Sequence, residues 1–189
     1  TVYHLAALKS NEAEKRPEAT WNVNVNGLYN VLDVLRDRAD SKLIFPSSIA
    51  ANGDNPESLY GVSKRTGEML CSLFGKKFNL DVRSLRLPGV ISPTFDIGGG
   101  GLTDFATEIF AEAAGRKRYA SYLKGSTEIE LIHLSDAITA MRMLAKAPRE
   151  TIQNTSAYAI HSFTASPESL AGIIRKRIPE FELAFEIDA

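Results

Sequence analysis

The chain has 189 residues, 44% hydrophobic and 24% charged, which suits one globular domain or one domain with a small appendage. Basic and acidic residues number 22 and 23, a net charge of −1, so no basic face for nucleic acid and no polybasic membrane segment is present. No apolar run reaches the length of a membrane span, and the single cysteine, Cys71, excludes an internal disulfide and points to a reducing compartment such as the cytoplasm.

The chain begins abruptly in a buried-strand pattern. Val2 to Leu5 reads as a parallel strand, and Ala6-Ala7 are small enough for a ligand or backbone to approach closely. Ser10 to Arg16 reads as a polar connection, and Pro17 suits the first turn of a helix, where its missing N–H costs nothing. Trp21, Val25, Leu28, Leu32 and Leu35 recur at steps of four, three, four and three, the pattern of an amphipathic helix. Asn22, Asn24, Asn26 and Asn30 fall inside it although Asn is a mediocre helix former. A solvated face explains most of them; the alternative is that one or two amides brace a neighbouring loop.

Lys42 to Pro46 reads as a short buried strand delivering Ser47-Ser48 at its carboxyl end, followed by the turn-rich Asn52-Gly53-Asp54-Asn55-Pro56. A helix from about Leu59 to Phe78 is expected to bury Val62, Thr66, Met69, Leu70, Leu73 and Phe74, with Cys71 a plain buried thiol. Asp81 to Leu87 is the next strand, ending at Pro88-Gly89. Strands alternating with helices imply an α/β fold with a doubly wound parallel sheet and right-handed crossovers.

Gly98-Gly99-Gly100-Gly101 lacks the spacing of a phosphate fingerprint and reads as a mobile substrate loop or a plain linker. Thr103, directly before a helix from Asp104 to Ala114, is by default its N-cap; a hydroxyl lining a pocket is the alternative. Glu128 to Leu134 reads as a strand, with His133 a structural histidine, and Ser135 as the cap of a helix running to Ala147. Ser166 caps a last helix opened by Pro167 and Glu168, and Glu182 to Ile187 is a final strand. His4, His133 and His161 have no ligand-like spacing, so no metal is expected.

The chemistry concentrates at Tyr60-Gly61-Val62-Ser63-Lys64. Of six tyrosines, only Tyr60 is followed by a lysine four residues on. On a helix that spacing places both on one face. A neighbouring ammonium favours the phenolate and brings the phenol, ordinarily near a pKa of about 10, toward use as a base. Ser47-Ser48 supplies a hydroxyl to hold a substrate oxygen, at the strand end where ligands sit in open α/β sheets. The combination is suited to oxidising an alcohol opposite a hydride acceptor.

With these pieces in place, the chain resembles the extended short-chain dehydrogenase/reductase superfamily over nearly its whole length. Tyr3-His4-Leu5-Ala6-Ala7 resembles the strand-four motif against which the dinucleotide lies, and Pro46-Ser47-Ser48-Ile49-Ala50 the strand-five motif whose catalytic hydroxyl aligns with Ser48. Within the superfamily, Asp81 to Ser92, Gly98 to Phe105 and Ile178-Pro179-Glu180-Phe181 are similar to the short-chain L-threonine 3-dehydrogenases. The resemblance implies a Rossmann-like fold, incomplete at its N-terminus, over residues 1–92, and a small substrate-binding α/β region, intermixed with the last Rossmann elements, over 93–189. It implies NAD as cofactor, with His4, Leu5, Ala6, Ala7, Lys64, Leu87, Pro88 and Gly89 around it. Ser48, Tyr60 and Lys64 become the catalytic residues, Ser10, Ser48, Tyr60 and Thr103 the threonine contacts, and a homodimer the expected assembly. Nucleotide-sugar epimerases or dehydratases, favoured by Lys9 and His133, and a non-catalytic fold relative are the alternatives. The glycine-rich turn and the three strands that precede Val2 in the family are expected on a longer polypeptide. The twelve steps from Ser48 to Tyr60 are fewer than the family's.

Overall fold

The structure, a computed structural model, describes residues 1–38, 40–53, 56–92, 101–152 and 157–186. In chain order it runs through strand β1 (Val2–Tyr3), helices α1 (Ser10–Lys15), α2 (Pro17–Thr20) and α3 (Gly27–Arg36), strand β2 (Lys42–Ser48), helix α4 (Leu59–Phe78) and strands β3 (Asp81–Leu87) and β4 (Gly89–Ile91). Then follow α5 (Phe105–Gly115), β5 (Arg118–Ser121), β6 (Ile129–His133), α6 (Leu134–Lys146), β7 (Tyr158–Ala159), β8 (Phe163–Ala165), α7 (Pro167–Arg175) and β9 (Glu182–Phe185). Asp54 and Asn55 of the expected turn, Gly98–Gly100 of the glycine run and Ile187 of the last strand lie outside the described residues. Among the described residues no helix is long and apolar enough to cross a membrane.

Contacts divide the chain into two compact units, Thr1–Pro88 with Ser135–Ile160, and Gly89–Leu134 with His161–Ala189. The division expected after Ser92 is therefore drawn after Pro88, and Ser135–Ile160 returns to the first unit.

In the first unit β1, β2, β3 and β7 form a parallel sheet in the order β1-β2-β3-β7. Successive side chains of β2 point to opposite faces. Leu43 and Phe45 pack against Leu28, Leu32, Cys71 and Phe74 of α3 and α4, while Ile44 packs with Leu85 and Ala145 on the other face. Each such buried leucine or phenylalanine contributes about 1.5–3 kcal/mol. A sheet covered on both faces has the doubly wound, Rossmann-like architecture expected. Fully buried Arg83 joins the layers on the α6 side: it pairs with Asp81 at 2.8 Å and donates to the carbonyls of Leu144 and Ala147 at the end of α6. In the second unit, α5 and α7 bury Phe105, Ile109, Leu170 and Ile174 with Leu131 of β6 and Phe181. Its strands are β4-β6-β8, with β6 and β8 antiparallel, and the parallel pair β5-β9.

Several expectations are corrected. Ser10 to Arg16 is not a bare connection but helix α1, whose Ala13 is fully buried. Trp21 leaves the apolar stripe because Trp21–Asn26 winds as a π-helix, Gly27 N–H reaching back to Asn22 O, and the wider turn breaks the step of 3.6. Asp104 rather than Thr103 is the N-cap of α5, and Ser135 lies inside α6 rather than capping it. The largest difference concerns α4. Val62, Met69 and Leu73 are 37%, 65% and 52% exposed, and the buried face is instead Gly61, Ser63, Lys64, Gly67, Glu68, Cys71 and Phe74. Close approach demands small residues here: a Cβ on Gly61 would stand 2.3 Å from the Ala50 carbonyl oxygen of the turn after β2, and one on Gly67 2.5 Å from the Phe45 ring of β2.

Candidate active site

The carboxyl end of β2 and the first turns of α4 meet in the first unit. Ser48 ends β2 and caps a 3-10 turn, Ile49–Ala51, accepting from Ala50 N at 3.2 Å. Ser58 caps α4 by accepting from Gly61 N, and Glu14 of α1 accepts from Tyr60 N at 3.2 Å. An anionic carboxylate at a helix N-terminus satisfies a free N–H and faces the positive end of the helix dipole.

Lys64 is buried. Its Nζ donates to the Pro46 carbonyl at 2.8 Å and stands 5.0 Å from the centre of the Phe45 ring and 5.7 Å from that of Tyr60. Burial in this apolar surrounding pulls its pKa from 10.5 down to about 8. Burial pushes the Tyr60 phenol up, and a hydrogen bond with the Ser48 side chain works against that by favouring the phenolate. The expectation that Lys64 lowers the phenol is thus corrected for this arrangement: desolvation prevails while the ammonium is held at Pro46.

His4, directly after β1, is held below the ordinary histidine value by burial and then by the Lys64 charge, so its imidazole is neutral. Its backbone N–H donates to Ile44 O, and its buried Nε2 has no hydrogen-bond partner among the described residues. Leu5 and Ala6 are exposed and Ala7 is half-buried. Ser10 opens α1 at φ 43°, a left-handed backbone that a serine rarely adopts. Leu87 pairs in register with Ser48, and Pro88 follows it, buried. Ser48, Tyr60 and Lys64 are therefore together, with His4 directly after β1 and Leu87 at the end of β3. Gly89 and Thr103 belong to the second unit, where they touch each other: a Cβ on Gly89 would come within 2.5 Å of the Thr103 methyl.

One of the asparagines is indeed a brace. Asn24, buried in the π-helical stretch, accepts from Leu8 N at 2.8 Å and donates to Leu8 O at 2.9 Å and to Ser63 Oγ at 3.0 Å. Ser63 Oγ in turn donates to the Tyr60 carbonyl at 2.8 Å. Asn24 thus ties the segment after β1 to the helix bearing Tyr60.

Sequence reasoning missed a second layer. Ser47 Oγ does not face Tyr60; it donates to Glu68 at 2.6 Å, and Glu68 also takes a bidentate pair from Arg86. The spacing that exposes Tyr60 and Lys64 as partners also sets Glu68 four residues beyond Lys64 on the same face, and that was the available signal.

The sequence model of the NAD dependent epimerase/dehydratase family matches residues 1–160. An uncharacterized epimerase/dehydratase of Staphylococcus haemolyticus is 37% identical over 201 residues, covering 100% of this chain and 63% of that protein. The solved structure of L-threonine dehydrogenase from Clostridium difficile superposes with a TM-score of 0.94 at 37% identity, over 100% of this chain and 62% of that one. The GalE-like L-threonine dehydrogenase from Cupriavidus necator, in its holo form, gives 0.93 at 35% identity, over 99% and 65%. The chain thus spans less than two thirds of the length of these relatives. Buried Lys64 beside Tyr60, Ser48 at the end of a parallel strand and the match over most of the chain converge: the chain belongs to the NAD dependent epimerase/dehydratase family.

Proposed function

We propose that the protein containing this chain is an NAD-dependent dehydrogenase that oxidises the secondary hydroxyl of L-threonine to give 2-amino-3-oxobutanoate. The observation that carries this reading is the buried Lys64 ammonium 5.7 Å from the centre of the Tyr60 ring, with Ser48 beside the phenol and favouring its ionised form. Two solved relatives named as L-threonine dehydrogenases support the substrate.

The residues present fit the nicotinamide side of the cofactor. Lys64 donates only one hydrogen bond among the described residues, which leaves two ammonium hydrogens for a ribose hydroxyl or the phenol. His4 Nε2, buried and without a hydrogen-bond partner among the described residues, is a second polar atom left for it. Lys64, with His4 to Ala7 and Leu87 to Gly89, would hold this part of the cofactor. Bound there, the cofactor would supply the acceptor for the hydride of the carbinol carbon. Tyr60, as phenolate, takes the hydroxyl proton from the substrate at its phenolic oxygen, and returns it in the reverse reaction. Ser48 orients the reacting oxygen, and Lys64 stabilises the phenolate once its ammonium turns from Pro46. Ser10 contacts the amino acid from the first unit. General-base catalysis of this kind contributes about 10²- to 10⁴-fold, with positioning supplying more. The exposed Tyr29 and Val34 of α3 and Met69 and Leu73 of α4 support a homodimer through these two helices.

The test is NADH formation from NAD and L-threonine by the full-length protein. Steady turnover is the expected result. The curated relative named epimerase/dehydratase favours a second reading, a nucleotide-sugar epimerase or dehydratase in which the cofactor is regenerated in place. Tightly bound NAD with no net NADH from threonine would move the reading there. Failure to bind NAD at all would leave a fold relative without the chemistry.

A further inference from the structure

Ser48, Tyr60 and Lys64 leave unexplained a second buried charge one turn further along α4. Glu68 is 0% exposed, and its two oxygens receive four hydrogen bonds. Ser47 Oγ at 2.6 Å and Arg86 Nε at 2.7 Å reach Oε1; Arg86 Nη2 at 2.7 Å and Arg65 Nη1 at 3.3 Å reach Oε2. Arg86 gives Nη1 to Asn52 Oδ1 at 3.0 Å.

Each partner adjoins a piece of the site. Ser47 is covalently bonded to Ser48. Arg86 precedes Leu87, which pairs in register with Ser48. Asn52 closes the 3-10 turn that Ser48 caps. Glu68 itself rides on the helix that carries Tyr60 and Lys64. One carboxylate therefore clamps the strand end, the turn and the helix from inside. Burial alone would raise its pKa, but the hydrogen bonds from Arg86 and Ser47 and the charges of Arg86 and Arg65 outweigh that and hold it below the usual carboxylate range. It is therefore anionic throughout the neutral range and suited to fixing geometry rather than to moving protons.

We propose that Glu68 is a positioning residue, acting through Ser47 to hold the Ser48 hydroxyl against Tyr60. The proposal rests on reading Ser48, Tyr60 and Lys64 as the catalytic group.

The test is a double-mutant cycle in the full-length protein with Ser47→Ala, Ser48→Ala and both, followed by turnover of L-threonine with NAD. Ser47→Ala removes one hydrogen bond and little volume, so it keeps the test open if Glu68→Gln fails to fold. Ser47→Ala is expected to lower kcat about tenfold, leave KM and NAD affinity nearly unchanged, and add nothing in the Ser48→Ala background. A readout free of substrate is the Tyr60 titration, isolated by difference absorbance against the matching Tyr60→Phe variant. It moves upward in Ser47→Ala, because the Ser48 hydrogen bond favouring the phenolate is weakened. An unchanged titration, or a fall in melting temperature with kcat intact, overturns the proposal, as does the same loss in both backgrounds. Full turnover by Ser48→Ala overturns the catalytic reading beneath it, a result distinct from these.

Discussion

Two buried charges lie one turn apart on α4, and the fold treats them in opposite ways. Lys64 receives one carbonyl and two aromatic rings, and burial pulls it down to about 8. Glu68, 0% exposed, receives four hydrogen bonds from three side chains and stays charged. A buried charge without full compensation destabilises the fold, whereas one compensated by several charge-assisted bonds fixes its surroundings. The difference separates a reactive pole, left incompletely paired toward the space beside Tyr60, from a supporting pole in which every oxygen is used. Destabilisation tolerated at one place and avoided a turn away supports the proposal that Lys64 serves the reaction while Glu68 serves the scaffold.

Substitutions at the two poles are expected to differ in kind. Tyr60→Phe keeps NAD affinity and lowers turnover by about 10²- to 10⁴-fold, measured by steady-state kinetics beside NAD titration. Retained activity would remove Tyr60 as the base. Glu68→Ala leaves Arg86 and Arg65 facing an empty site and is expected to cost about 3–5 kcal/mol in urea unfolding. A loss below about 1 kcal/mol would erase the distinction between the poles. The pH profile of threonine oxidation sharpens it further. The phenolate requires pH to rise toward a Tyr60 value raised by burial, while the Lys64 charge is lost above about 8, so kcat peaks on the alkaline side of neutrality. An acidic optimum contradicts both assignments.

The elements that were legible in the sequence are those whose signal is local. Helix α4 runs from Leu59 to Phe78 as expected, β2 and β3 lie where short apolar runs fall, and Ser166, the expected cap of α7, forms a full capping box with Ser169. Tyr60 and Lys64 were legible because both lie on one helix. The buried face of α4 was not, since apolar residues normally mark the inward face. Here Gly61 lets the helix approach the turn after β2 and Gly67 lets it lie against Phe45 of the sheet, while Met69 and Leu73 stay outside. Apart from Arg65, three positions away on α4, the clamp around Glu68 joins residues 18 to 34 positions apart, and no local period encodes such pairing. Strands β4 and β5 are three and four residues long, too short to show alternation.

The most direct measurement is the stability of Lys64→Met against wild type as pH rises, read beside turnover. Lys64 has a folded pKa of about 8, below its ordinary 10.5, so the folded state disfavours its proton. That penalty is fully present below about 8 and fades as pH rises through 10.5. Near neutral pH the variant is expected to be more stable by about 2 kcal/mol, after allowing for the unpaired Pro46 carbonyl, while losing at least about 10²-fold in turnover. The stability gap closes in alkali. A variant that is less stable near neutral pH, or one that is equally active, would show that Lys64 belongs to the scaffold and not to the reaction.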